Sequence, residues 1–79
     1  MDWDQFVTAL TAFGFVCSVR EVRGVEMASV VWLCPGPSCP RGVHLYRPVL
    51  EMKYTSSILG FYLEHLIASR NVQRGACGH

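Results

Sequence analysis

The chain has 79 residues, of which 51% are hydrophobic and 16% charged, and its formal net charge is +1. That length makes one domain with a core of modest stability, and that apolar content excludes a disordered chain. The small charge excludes a general attraction to nucleic acid or anionic lipid, so any phosphate contact has to come from a local cluster of the few cations. So light a charge also predicts a covered face, supplied by a protein partner or by a second copy in a homodimer.

The opening MDWDQF has no basic start leading into an apolar stretch, and no run is long enough to span a bilayer. The expectation is a cytoplasmic protein without membrane association, in which Cys17, Cys34, Cys39 and Cys77 stay thiols unless they bind metal.

Asp2 followed by Trp3, Phe6, Val7, Leu10 and Phe13 has the spacing of a first helix. Asp2 is placed to cap it, with Gln5 completing a box, and Gly14 is its natural stop. A first strand is predicted from Phe15 to Val22, a hairpin turn around Gly24, and a second strand from Ala28 to Leu33. The segment CPGPSCPRG holds three of the four prolines and two glycines, which forbids helix and central strand. A third strand follows from Val43 to Val49, with Val43 and Leu45 facing the core and His44 and Tyr46 the other side. The second helix starts at Thr55 or Ser56, either of which can cap it, and buries a stripe of Ile58, Leu59, Tyr62, Leu63, Leu66 and Ile67. Gly60 costs this helix about 1 kcal/mol relative to alanine, a cost tolerable if close packing is needed there. Residues 1–70 form the domain and residues 71–79 a flexible tail. The predicted class is α+β, in the order α-β-β-β-α, a three-stranded antiparallel sheet with two helices packed on one face.

FVTALTAFGF at 6–15, the Trp32, Leu33 and Pro35 region, VHLYRPV at 43–49 and YTSSILGFYLEHL at 54–66 together resemble the HicA-type toxins, RNA-cleaving partners of toxin–antitoxin pairs with a double-stranded RNA-binding-like fold. The resemblance covers most of residues 3–67. It implies RNA as a ligand, and an antitoxin or a second copy as a protein partner. In that family a Gly-Ser-His at the start of the second strand supplies the histidine held responsible for cleavage. Here the corresponding place is Gly24-Val25-Glu26 or Ala28-Ser29-Val30, and neither has a histidine. The histidines of the third strand are replaced as well, by Tyr46 and Val49. The resemblance therefore implies a scaffold that binds RNA or a protein partner without cleaving RNA, or a degenerate mRNA interferase-like ribonuclease if activity remains.

Cleavage through the 2′-hydroxyl needs a group of near-neutral pKa to take its proton. The candidates are His44 as that group and Glu26 as a stand-in base, against the plainer reading that His44 is an exposed strand residue. For binding alone, Arg20, Arg23, Arg41, Arg47 and Lys53 are the candidate phosphate contacts, against the reading that they only solubilise. Cys34, Cys39 and His44 form C-x4-C-x4-H, a candidate zinc set completed by Cys17, Cys77 or His79. The alternative is that the loop cysteines are free thiols. Large rings outnumber what a small core holds, so some of Trp3, Phe13, Trp32, Tyr46, Tyr54, Phe61 and Tyr62 are expected at a contact surface.

Overall fold

The computed structural model describes residues 1–33, 42–54 and 57–76. Helix α1 spans Trp3–Ala12, strands β1, β2 and β3 span Val16–Val22, Val25–Leu33 and Gly42–Pro48, helix α2 spans Val49–Met52 and helix α3 spans Ile58–Ala76. The expected α+β class and element order hold, with one additional short helix. The strands form an antiparallel sheet in the order β1-β2-β3.

Both ends of α1 follow from local chemistry. The Asp2 carboxylate accepts from the Gln5 amide at 2.8 Å, and the Asp2 amide donates to the Gln5 side chain at 3.0 Å, which closes the capping box. At the other end the Gly14 amide donates to Thr11 O and the Phe15 amide to Leu10 O, with Gly14 at φ +85°. This is the Schellman arrangement, and its apolar pair, Leu10 and Phe15, is buried. A Cβ on Gly14 would also meet the Trp32 ring at 3.5 Å. The chain turns from helix into strand at the point where Trp32 closes the core.

The hairpin between β1 and β2 has a two-residue loop, Arg23 and Gly24, at φ +53° and +80°. Positive φ at both positions matches the right-handed twist of the strands. It fixes Val22 opposite Val25, and the register runs from there to Val16 opposite Val31. The second strand thus begins at Val25, three residues before the start expected from its apolar run, because the turn rather than hydrophobicity sets where pairing starts.

Ala28, Val30 and Trp32 of β2 are buried against Phe6 and Leu10 of α1, Val49 and Met52 of α2, and Leu59 and Leu66 of α3. Cys17 and Leu45, in register with Val30 on either side, complete that face. All helices therefore shield one side of the sheet.

Three local expectations change. The third strand ends at Pro48, and Val49 opens α2, whose Val49 and Met52 are buried one turn apart; proline fixes the entry and an i, i+3 apolar pair replaces strand alternation. Residues 71–76, expected in a frayed tail, continue α3. Their helix formers Gln73, Arg74 and Ala76 support the extension, and Arg74 in the last turn complements the helix dipole. A Cβ on Gly60 would meet no atom within 4 Å, so close packing is not the reason for glycine there. The Thr55 or Ser56 cap lies outside the described residues.

Candidate functional site on the open sheet face

Strand alternation makes the second face of the sheet a set of rows. Val16, Val31 and His44 form one row, Ser18, Ser29 and Tyr46 the next, then Arg20, Met27 and Pro48, and finally Val22 and Val25 at the hairpin end. Val16 is 68% exposed, and Val22, Val25 and Tyr46 are exposed as well. Among the described residues no helix lies over these rows.

His44 and Tyr46 stand two residues apart on β3, so the pleat points both the same way. Their rings are nearly parallel, 11° between planes and 6.4 Å between centroids. With Ser18, Arg20, Val22 and Ser29 they line a shallow depression of about 300 Å³. It offers two hydroxyls, an imidazole, a phenol and a guanidinium beside the apolar side chain of Val22, a chemistry suited to recognition.

The predicted site residues divide between the two sides. His44 lies with Tyr46 on the face opposite Leu45, as its alternation predicts. Glu26 is in register with Glu21 and shares the parity of Ala28 and Val30, so it belongs to the helix-covered side, away from His44. A reacting group held by one of this pair is therefore out of reach of the other.

The cations are dispersed. Arg20 is in the depression and Arg23 is at the hairpin tip. Arg47, opposite Ala28, belongs to the other side, where its guanidinium lies 3.9 Å from the Glu51 carboxylate with both side chains more than half exposed. Such an exposed pair contributes little to stability. The Lys53 ammonium sits 5.1 Å from the centroid of the Trp3 ring, holding the end of α2 to the start of α1. Arg41 lies outside the described residues. Among the described residues, Arg20 is thus the one predicted cation that faces the open side of the sheet.

For metal, Cys34, Cys39, Cys77 and His79 also lie outside the described residues. Among the described residues no three of His, Cys, Asp and Glu converge on a common point. Cys17 is a free thiol, half-buried under the helices, and its burial pushes the thiol pKa up from its ordinary 9.0. It faces the core rather than the depression.

A second apolar hollow was not anticipated. Ile58, Phe61, Tyr62 and His65 line it on the outer side of α3, with Phe61 exposed. The sequence signal was present, since Phe61 and His65 are one turn apart, but the stripe of core residues beside them dominates the pattern. No helix of the described residues is long and apolar enough to cross a membrane.

Comparison with family models, curated proteins and solved structures finds no match to this chain. The geometry of the site is therefore the basis for its function.

Proposed function

We propose that this chain is a non-catalytic interaction domain that takes a partner protein on the open face of its sheet. The observation that carries the reading is the set of Val16, Val22, Val25 and Tyr46, all exposed on one face whose rows, among the described residues, carry the single charge of Arg20. Leaving such a band in water forgoes about 25 cal/mol for each Å² of apolar surface, and interface cores are enriched in aromatic groups and arginine and depleted in other charges. Tyr46 and Arg20 are the expected anchors, with the valines as surrounding contact. The HicA-like resemblance points the same way, toward an antitoxin-like protein.

Affinity purification of the tagged chain from cells that produce it tests the reading, with Val16→Asp and Tyr46→Ala variants alongside. A protein should co-purify in stoichiometric amount with the parent and be lost from both variants, whose melting temperatures stay at the parent's. Retention of that protein by both variants would move the contact off this face.

A second reading, RNA on the same face, is favoured by the parallel His44 and Tyr46 rings beside Arg20. Sheet-borne rings stack unpaired bases, and a nearby guanidinium meets phosphate. With Arg20 the one cation on the face among the described residues, log K should fall with log salt by a slope of only about 0.7 per phosphate contact, shallower than a cluster of five would give. Fluorescence anisotropy of labelled single-stranded RNA at low salt decides it: binding lost on Tyr46→Ala and Arg20→Glu supports this reading, and no change in anisotropy removes it.

A further inference from the structure

Among the described residues, the sheet has an uncovered edge as well as an uncovered face. We infer that the free edge of β1 pairs with β1 of a second copy, antiparallel and centred on Val19, joining two sheets into one of six strands.

The hydrogen-bonding direction of this edge follows from the hairpin. A two-residue loop makes Val22 and Val25 a hydrogen-bonded pair, and such pairs alternate along the ladder through Arg20, Ser18 and Val16. The amides and carbonyls of Cys17, Val19 and Glu21 consequently point away from β2, toward the edge. Among the described residues no strand lies beyond β1. Six of its seven residues are exposed.

Natural edges are blunted by proline, charged side chains and above all lysine, bulges or short length; of these β1 carries only the two opposite charges Arg20 and Glu21. Strand β3, the other edge, carries Pro48 and runs straight into α2. Strand β1 has seven residues without proline or lysine, paired to β2 in continuous register. Three of the seven are valine, a good strand former.

Self-complementarity selects the occupant and the register. In a two-fold pairing, centring on Arg20 or Glu21 sets like charges directly opposite, and centring on Ser18 leaves Val22 beyond the paired strand. Centring on Val19 uses the full strand: Val16 meets Val22, Cys17 meets Glu21, Ser18 meets Arg20, and Val19 meets its own copy. Every edge-directed residue then opposes another edge-directed residue, so the outward amides and carbonyls are satisfied in pairs. Arg20 and its copy stand on a diagonal about 7–8 Å apart, where water and salt screen them. Val16 of one copy beside Val22 of the other extends the apolar band of the open face across the junction. The inference is independent of what that face binds.

The contact is a single paired strip about 24 Å long at 3.4 Å per residue, one strand wide, and so buries less than the roughly 800 Å² per partner of a standard interface. The dimer should therefore be weak, with a dissociation constant at or above the micromolar end of the range that standard-size interfaces span.

Sedimentation equilibrium of the full chain under reducing conditions tests this. The average mass should rise from 8.8 kDa toward twice that value between micromolar and millimolar concentrations. Val19→Lys should hold it at the monomer mass, because the side chain stands at the two-fold centre. Val19→Pro should do the same while keeping the fold, because the amide it removes points to the edge rather than to β2; far-ultraviolet circular dichroism and the melting curve check that. Tyr46→Ala, a face substitution on β3 away from the paired edge, should leave a dimer. Under mild oxidation Val19→Cys should give a dimer linked through position 19, read by peptide mass spectrometry. A parent that stays monomeric to millimolar concentration overturns the inference, and so does a dimer that survives both Val19→Lys and Val19→Pro.

Discussion

Arg70 joins α3 to the end of α1, and replacing it with alanine tests whether that joint is a main support of the fold. Its Nη1 donates to the Phe13 carbonyl at 3.0 Å, across 57 residues of sequence, and its guanidinium carbon lies 5.2 Å from the centroid of the Phe13 ring. Nη2 donates to Asn71 Oδ1 at 2.9 Å, while Nε is buried without a partner among the described residues. Phe13 is the C-cap of α1, so the cation also sits at the negative end of that helix. A charge-assisted hydrogen bond contributes about 1.5–3 kcal/mol, and a cation over an exposed ring about 0.5–1 kcal/mol. The joint is partly exposed and Nε gives some of that back, so Arg70→Ala should cost about 2 kcal/mol. Against the ~4–12 kcal/mol expected for a domain of this length, that is a sixth to a half of the total. Urea unfolding, followed by fluorescence of Trp3 and Trp32, should show the midpoint lower by about 1–2 M at the slope of a small domain. Arg70→Lys, which keeps the charge but loses the forked donor, should fall between. A double-mutant cycle with Phe13→Leu should return a coupling of about 0.5–1 kcal/mol for the ring contact. A loss below about 0.5 kcal/mol for Arg70→Ala, the range of ordinary surface substitutions, would refute the joint as described.

Gly60→Ala should stabilise the chain by about 0.5–1 kcal/mol, since a helical glycine with open space around its Cβ position only adds unfolded-state entropy; a melting temperature raised by a few degrees checks it. Arg23→Asn should stabilise the hairpin by a few tenths of a kcal/mol, because asparagine tolerates the left-handed φ better than arginine, and urea unfolding measures the gain. Burial raises the Cys17 thiol pKa in the folded chain, so the folded state favours the neutral thiol. The resulting stability is fully present below the unfolded thiol's pKa and is lost as pH rises through the folded value. With Cys34, Cys39 and Cys77 replaced by serine, melting curves should decline as pH rises past the ordinary thiol value of 9.0 and the Cys17→Ser chain should lack that part of the decline.

Much of the fold was legible because it is local. Asp2 and Gln5 announce the capping box, Gly14 and Phe15 the helix stop, Gly24 the hairpin, and the alternation of His44, Leu45 and Tyr46 tells which residues share a face. The turn residue Arg23 hid the true start of β2, since arginine is an unusual choice at positive φ. Helix α2 was hidden because Val49 and Met52 read equally well as the end of a strand and the beginning of a loop. The candidate site was legible in part. His44 and Tyr46 were placed together by periodicity, but the neighbours that complete their depression come from β1 and β2, and nothing in the spacing of Ser18, Arg20 and Ser29 states that they meet.

By itself, then, the sequence determined the element order, the caps and the inward and outward sides of each strand, because these depend on backbone chemistry and periods of a few residues. Only the tertiary structure decided the register across strands, and with it which charges and rings share a surface. It set Glu26 on the side away from His44, drew Lys53 to Trp3 and Arg70 to Phe13, and brought Arg20 beside the two rings. Those pairings join residues far apart in the chain, and they are set by packing helices on one side of a sheet rather than by any local preference.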